Sequence, residues 1–306
     1  MMKRYNRLDM IFADTPSKRR IGIILGSLVT ICFSVLDAAG KWLSTHTSLI
    51  EIVWFRFAIA AVFAIIALIL KGKWQGFFKE DFRTQLLRAV MMVSMTFLSF
   101  AGLKYLQLAQ TNSISFSTPI IIALISSYFL KEKLTINKWI AIIAGFLGVL
   151  IILDPLGQHF HPAMFFTMGH ATVYALFNIL TRKMASTSNP EITIVYSTVL
   201  PTVMLTPFAL SQWQPPEQNL DYLIFIIAGL FGFLGHYLLA YAYRYAKPTT
   251  ISPFFYQQMI YMVFLGWVVF DHVPHINVLF GAMIVIACGL YLLYMENRQT
   301  QHELIK

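Results

Sequence analysis

Long apolar stretches follow one another along almost the whole chain, separated by short polar or charged breaks. A helix needs about 20 apolar residues to cross the hydrocarbon of a bilayer, because its backbone groups must bond within the helix. Ten stretches meet this requirement, near residues 21–43, 50–70, 86–106, 110–130, 136–153, 162–181, 191–210, 220–243, 249–270 and 276–294. The pattern therefore predicts an all-α membrane protein with ten transmembrane helices.

The composition agrees with a chain that crosses the membrane many times. Of its 306 residues, 58% are hydrophobic and 12% are charged, whereas about a quarter are charged in an ordinary soluble domain. The net charge of +9 comes from Lys and Arg residues that form no single face, so nucleic acid is not an expected partner. Cys32 and Cys288 both lie inside apolar stretches, so neither a disulfide scaffold nor a thiolate metal site is expected.

The Lys and Arg residues fall almost entirely on one side of the predicted topology. With the N-terminus inside, 20 of the 23 lie on inner segments, Lys41 and Lys104 lie at outer ends, and Arg56 lies within a span. Cytoplasmic loops hold this kind of excess of positive charge. We therefore expect both termini in the cytoplasm, and a basic N-terminal tail rather than a cleaved signal peptide.

The two halves of the chain are weakly similar after a shift of about 140 residues, the mark of an internal repeat. Glu132 then coincides with Asp271, and Gly148 coincides with Gly289. Since each half has an odd number of spans, the halves must cross the membrane in opposite directions. Inverted repeats of this kind surround one central site in many secondary transporters. The predicted organisation is a cytoplasmic basic tail at 1–20, two five-helix repeats at 21–153 and 162–294, and a cytoplasmic tail at 295–306.

Several segments of the chain match a known pattern: VWFRFAIAA at 53–61, Pro119 ahead of Glu132, INKWIAIIAGFLGVLIIL at 136–153, and YAYRYAKPTTISPFFYQQ at 241–258. In these segments the chain resembles the EamA family of the drug/metabolite transporter superfamily, in its ten-helix bacterial members. The resemblance implies a bundle in the bacterial inner membrane whose first to fourth and sixth to ninth helices line a cavity. The similarity is greatest to members labelled as carriers of S-adenosylmethionine or amino-acid-like metabolites.

Two charged residues lie within predicted spans at a similar depth. Asp37 precedes the outer end of the first span by about six residues, and Arg56 follows the start of the second by about six, roughly 9 Å from the boundary. A charge within a span costs at least about 2.5 to 3.5 kcal/mol, so it needs a partner or a wet cavity. One interpretation is a permanent ion pair between two helices. The other is a binding site, where Arg56 takes a carboxylate or phosphate and Asp37 takes an ammonium or sulfonium.

Two histidines lie midway along predicted spans, His170 in the sixth and His236 in the eighth. Histidine changes its charge near neutral pH, so either residue is a candidate to carry a coupling proton. A hydrogen-bonded histidine in the core is the alternative interpretation for both. No second set of ligands accompanies them, so neither a metal ion nor a cofactor is expected.

Polar and aromatic residues recur along the helices that the resemblance places around the cavity. The candidates for substrate binding beside Asp37 and Arg56 are Tyr174, Asn178, Tyr237, Tyr241 and Gln257. Tyr174 and Asn178 share a helix face, as do Tyr237 and Tyr241, because residues four apart are neighbours on a helix. Pro119 and Pro253 are expected to kink their helices and are the candidates for gating.

These features favour a secondary transporter that moves a small organic metabolite by alternating access, with an amino-acid-like or S-adenosylmethionine-like zwitterion as the preferred substrate. The chain lacks the GxxxxGK[ST] loop that direct use of ATP requires. An intramembrane enzyme needs a nucleophile with a base or two carboxylates at one depth, and neither is evident. A membrane sensor or scaffold is the other alternative. The expected partners are the metabolite and the lipid bilayer, and a homodimer is left open.

Overall fold

The structure is a computed structural model, and its described part is helical almost throughout. It describes residues 16–72, 81–118, 120–122, 124–125, 136–154, 160–184, 188–216, 218–246, 251 and 254–305. Its main helices are α1 (Pro16–Leu43), α2 (Leu49–Leu70), α3 (Phe82–Tyr105), α4 (Leu108–Ser115), α5 (Ile136–Leu153), α6 (Met164–Met184), α7 (Pro190–Ser211), α8 (Asn219–Tyr245), α9 (Gln258–Phe270) and α10 (Ile276–Ile305). These described residues contain no strand.

Six of the described helices are long and apolar enough to cross a membrane, namely α1, α2, α3, α6, α7 and α8. Shorter apolar stretches occur in α5, α9 and α10. Large apolar side chains such as Ile24, Val62 and Phe264 are exposed on the outside of the bundle. An apolar exterior of this extent is stable in lipid rather than in water, so the chain is an integral membrane protein.

The observed helix ends agree with most of the predicted breaks. The break predicted between the third and fourth spans is confirmed, because α3 ends at Tyr105 and α4 begins at Leu108. The last helix, α10, continues to Ile305, so the segment predicted as a tail from residue 295 is helical. Pro119, Pro253 and Glu132 lie outside the described residues.

The helices pack in a regular set of pairs. The four strongest associations among the described helices join α1 with α8, α5 with α10, α2 with α7, and α3 with α6, and α4 packs most closely with α9. Small residues permit the closest approaches. A Cβ on Gly148 in α5 would lie 3.1 Å from the carbonyl oxygen of Gly281 in α10, so these two backbones are nearly in contact.

The start of α2 is fixed by a capping box. The backbone nitrogen of Glu51 donates to the Ser48 side chain, and the Glu51 carboxylate accepts from the Ser48 backbone nitrogen. The other carboxylate oxygen of Glu51 accepts a 2.7 Å bond from the backbone nitrogen of Gln214, beyond the end of α7. These bonds satisfy free amide groups at the helix start, and they anchor the turn that precedes Arg56.

Lys41 in α1 forms hydrogen bonds to backbone carbonyls at the break between α3 and α4. Its Nζ donates to the carbonyl oxygen of Leu103 at 3.0 Å and to that of Leu106 at 2.6 Å, and its side chain is buried. A helix end leaves carbonyl groups without partners, and water cannot reach them easily inside the bundle. One lysine therefore supplies the donors that the interrupted helix lacks.

We expect the substitution Lys41→Met to destabilise the protein, because it leaves buried carbonyl groups without donors. The cost is about 1 to 3 kcal/mol of unfolding free energy. Thermal unfolding of the purified protein in detergent measures the effect. Lys104→Met is the matched control, since Lys104 is exposed near the same break and its loss should leave the transition unchanged. Equal transitions for the two variants would contradict the role of Lys41.

Candidate functional site

Arg56 is the centre of the polar cluster inside the bundle. It lies in the second turn of α2, with only 4% of its surface exposed. Its Nη1 donates to the hydroxyl of Thr96 in α3 at 3.1 Å, and its Nη2 lies 3.3 Å from Nε2 of His236 in α8. Its Nε is buried and has no hydrogen-bond partner among the described residues. A cation is therefore held inside the bundle by neutral groups.

Asp37 is half-buried in α1 and interacts electrostatically with Arg56. The hydrogen bonds of Arg56 within the described residues go to Thr96 and His236 instead of to the Asp37 carboxylate. The two opposite charges thus lie near one another without a direct hydrogen bond. This arrangement differs from a closed ion pair, and it leaves the carboxylate and the guanidinium each able to take a further partner.

His236 accepts the bond from Arg56, because a guanidinium can only donate. The accepting Nε2 carries no proton, so the neutral ring carries its proton on Nδ1. The ring also packs edge-on against Phe33, with centroids 5.0 Å apart, and near Phe177. A second proton on this ring would remove the acceptor and place a positive charge beside Arg56. The Arg56 contact therefore requires the neutral form of His236.

His170 and Tyr174 form a second part of the cluster on α6. Nδ1 of His170 donates to the backbone carbonyl of Met95 at 2.8 Å, since a carbonyl only accepts. The rings of His170 and Tyr174 are stacked with centroids 5.7 Å apart. Arg56 interacts electrostatically with His170, and Asp37 interacts with Tyr174. The structure thus brings five of the predicted residues, Asp37, Arg56, His170, Tyr174 and His236, into one neighbourhood.

Asn178 shares the α6 face of Tyr174, as the four-residue spacing predicts. Its Nδ2 donates to the backbone carbonyl of Tyr174 at 2.8 Å, so this amide is bonded within its own helix. Back-bonding of this kind occupies one of the two N–H donors of the amide. This bond does not use the amide oxygen of Asn178.

Tyr237 and Tyr241 belong to a separate network near the start of α7. The hydroxyl of Tyr237 lies 3.5 Å from that of Tyr241, which donates to the carboxylate of Glu191. Glu191 is buried, with 2% of its surface exposed. Tyr237 follows His236 by one residue and therefore points to a different side of α8. These two tyrosines connect α8 to α7 instead of joining the Arg56 cluster.

Gln257 precedes the first residue of α9 and is half-buried. No side-chain hydrogen bond caps α9 there, and no bond within the described residues joins Gln257 to the Arg56 cluster. The gating candidates Pro119 and Pro253 lie outside the described residues.

A narrow cavity adjoins the cluster, and Arg88, one of the 20 cations on the predicted inner side, lines it. Arg56, Arg88 and His236 line it, together with Phe57, Ala60, Met92, Ile194, Ser197, Thr198, Gly232 and Phe233. Arg88 lies in the second turn of α3 and is 6% exposed. In the sequence, Arg88 is a cation shortly after the start of an apolar stretch. A cation in that position resembles one at an ordinary, solvated helix end.

The cluster has the chemistry of a binding site. Two guanidinium groups, one nearby carboxylate and stacked aromatic rings suit a small organic molecule that carries charges of both signs and a flat group. Among the described residues, no group of three or more His, Cys, Asp or Glu side chains is arranged to hold a metal ion.

Comparison with known families finds one sequence pattern twice in the chain. The EamA-like transporter family matches residues 20–154 and again residues 161–295. Together these two matches cover most of the chain, and they fall on α1 to α5 and on α6 to α10.

Individual relatives match at low identity but along nearly their whole length. A riboflavin transporter from Vibrio cholerae is 26% identical over 89% of this chain and 93% of its own. An S-adenosylmethionine uptake transporter from Rickettsia bellii is 27% identical, over 91% of this chain and 94% of its own. A solved protein chain that is 15% identical covers 91% of this chain and 98% of its own with a TM-score of 0.64, which shows a shared fold.

Proposed function

Because the chain belongs to the EamA-like transporter family, we propose that it carries a small zwitterionic metabolite across the membrane by alternating access. Its family and its relatives show that it is a small-metabolite transporter and not an enzyme. The observation that carries the finer proposal is Arg56, a buried guanidinium bonded to neutral groups with Asp37 nearby. An amino-acid-like or S-adenosylmethionine-like molecule fits both charges.

In this proposal Arg56 and Asp37 hold opposite ends of the substrate. A carboxylate takes the guanidinium in place of the neutral oxygen of Thr96 and the nitrogen of His236, since a charged acceptor makes the stronger bond. The ammonium or sulfonium of the same molecule lies against the Asp37 carboxylate. Tyr174, stacked between His170 and Phe177, and the amide oxygen of Asn178 complete the lining on α6.

The packing of the helices supports two inverted five-helix halves. Each helix of one half has a counterpart five helices along in the other half. When every helix is exchanged with its counterpart, the contact of α1 with α8 becomes the contact of α6 with α3, which is also present. The same exchange leaves the pairs α2 with α7, α4 with α9, and α5 with α10 unchanged. Such a symmetric arrangement is typical of transporters whose two halves move against each other around a fixed site.

The distribution of basic residues supports the orientation of these halves. In the predicted topology 20 of 23 Lys and Arg residues lie on one side, which places both termini in the cytoplasm of a bacterial cell and the chain in its inner membrane. The outer side then carries Lys41, which is bonded to backbone carbonyls, and Lys104.

His236 gives the proposed site a route for coupling to protons. A proton on its Nε2 ends the bond from Arg56, and it frees the guanidinium to take the substrate carboxylate. His170 is the less direct candidate, because its Nδ1 is bonded to a backbone carbonyl. In this scheme the substrate, with its carboxylate on Arg56, and a proton on His236 enter the site together.

Uptake into proteoliposomes tests the proposal. The purified full chain is reconstituted and offered labelled amino acids, S-adenosylmethionine and riboflavin, each with and without an imposed pH gradient. We expect saturable uptake of at least one zwitterion above the rate of protein-free vesicles. If no compound enters faster than in protein-free vesicles, the proposed substrate class is wrong, and a protein that merely senses or binds a ligand becomes the better account.

A further inference from the structure

Arg88 is a second buried guanidinium, held in a fixed position by three helices. From α3 its Nε donates to the hydroxyl of Ser197 in α7 at 3.0 Å, and its Nη1 donates to the hydroxyl of Thr181 in α6 at 3.0 Å. Thr181 donates its own proton to the carbonyl of Phe177 at 2.7 Å. A lone pair of the threonine oxygen therefore faces Arg88, and the orientation of the guanidinium is set before any ligand arrives.

No carboxylate of the described residues hydrogen-bonds to Arg88. Both of its bonded partners are neutral hydroxyls, and its guanidinium carbon lies 4.5 Å from the centroid of the Phe177 ring. Its Nη2 makes no hydrogen bond within the described part of the chain. An isolated charge inside a membrane protein is costly, and it is retained where it meets a ligand or a water-filled path.

Arg88 shares one cavity with Arg56. Both residues line the same space, together with Met92 and Ser197, and His236 interacts electrostatically with both guanidiniums. Arg88 follows the start of α3 by six residues, whereas Thr96, the partner of Arg56 on that helix, lies eight residues further along. Eight residues of helix span about 12 Å, so Arg88 starts from a level of α3 about 12 Å from that of Thr96, and both guanidiniums reach the same cavity.

We propose that Arg88 forms a second anion-binding subsite, which takes a carboxylate or phosphate group of the transported metabolite. This inference rests on the proposed transport function and narrows the substrate class to molecules with an anionic group that reaches beyond Arg56. In the predicted orientation the Arg88 subsite lies toward the cytoplasm. The free Nη2 provides the donor, while Ser197 and Thr181 hold the rest of the guanidinium.

Thermal unfolding of the full chain in detergent tests the subsite with simple anions. Sodium phosphate and sodium succinate are each titrated against sodium chloride at equal ionic strength. We expect both anions to raise the unfolding temperature saturably, and Arg88→Gln to raise their half-saturating concentrations about tenfold or more. Arg83→Gln is the matched control, because Arg83 is an exposed arginine on the same helix. Equal anion effects in the wild type and Arg88→Gln would overturn the proposal, as would their absence from the wild type.

A second variant keeps the test decisive if Arg88→Gln folds poorly. Met92 lies four residues after Arg88 on α3 and lines the same cavity, so Met92→Glu places an internal carboxylate beside Arg88. We expect this variant to weaken the phosphate and succinate effects at least as much as Arg88→Gln does, while it retains a cooperative unfolding transition. Persistence of both effects in a folded Met92→Glu protein would contradict the subsite.

The failure of the subsite is distinguishable from failure of the proposed function. If Arg88→Gln retains the anion effects while the wild type transports a zwitterion, the subsite is wrong and the transport proposal stands. If the wild type transports nothing yet Arg88→Gln weakens the anion effects, an anion-binding site at Arg88 stands and the proposed function is wrong.

Discussion

Replacement of Arg56 by alanine is expected to abolish saturable uptake, with the ratio kcat/KM falling about 100-fold or more. The guanidinium is the buried cation at the junction of α2, α3 and α8, and it has one donor without a partner among the described residues. Under the proposed function, its loss removes the group that binds the substrate carboxylate. Initial rates of uptake into proteoliposomes with equal protein content measure the effect.

Two controls accompany this variant. Arg56→Lys keeps the positive charge but loses the planar fork, so it should retain part of the uptake. Lys104→Ala removes an exposed cation and should leave the rate unchanged. If Arg56→Ala inserts normally and transports at the wild-type rate, the assignment of Arg56 to the substrate site is wrong.

The double variant Asp37→Asn with Arg56→Gln separates the two interpretations of these charges. A structural ion pair is damaged when one partner is removed, and it is often restored when both are replaced by neutral groups. A substrate-binding site, in contrast, loses its affinity for the substrate whether one or both of the charges are removed. We expect the double variant to fold and to transport no better than the Arg56 variants, whereas recovery of uptake would indicate a structural pair.

The second large effect is expected at the contact between α5 and α10. A Cβ on Gly281 would lie 2.6 Å from the carbonyl oxygen of Gly148 and 2.6 Å from the Ile152 side chain. The carbonyl belongs to a helix backbone and cannot move aside as a flexible side chain can. Gly281→Val should therefore separate the two helices, at a cost of about 3 kcal/mol in the free energy of unfolding.

Thermal unfolding in detergent and the yield of monodisperse protein check the Gly281 prediction. Gly266→Ala is the control, because a Cβ at Gly266 would meet only the carbonyl oxygen of His272 at 3.6 Å, an ordinary contact. This control should be as stable as the wild type or more so, since alanine favours a helix over glycine. A Gly281→Val protein with the wild-type transition would show that α5 and α10 do not depend on this approach.

Much of the helical architecture follows from the sequence, because lipid requires long apolar helices whose lengths can be read from the chain. The break at Leu106 was harder to predict, since the residues around it are apolar. Its stability depends on Lys41, which lies 65 positions away in the chain and donates to the Leu106 carbonyl. A contact of this kind depends on tertiary packing and leaves no local pattern.

The sequence predicts which residues lie at the same depth in the membrane. It does not predict which side of a helix a residue faces, because that depends on how the helices pack. Asp37 and Arg56 lie near each other, as their equal depth predicts. Tyr237 was expected in the same lining, yet its neighbour His236 contacts Arg56 while Tyr237 faces Tyr241. Arg88 has no distinguishing signal in the sequence, because a cation near a helix start resembles a solvated end, and its contacts with α6 and α7 come from tertiary packing.

Counterflow is the most direct measurement of the central claim, that this chain is a carrier whose single site opens to each side in turn. Proteoliposomes are loaded with unlabelled substrate and diluted into a trace of the labelled compound, without any imposed gradient of ions. The account predicts a transient accumulation of label above its equilibrium level, which disappears in Arg56→Ala. Label that rises only to equilibrium, at the same rate with or without the internal substrate, would contradict alternating access.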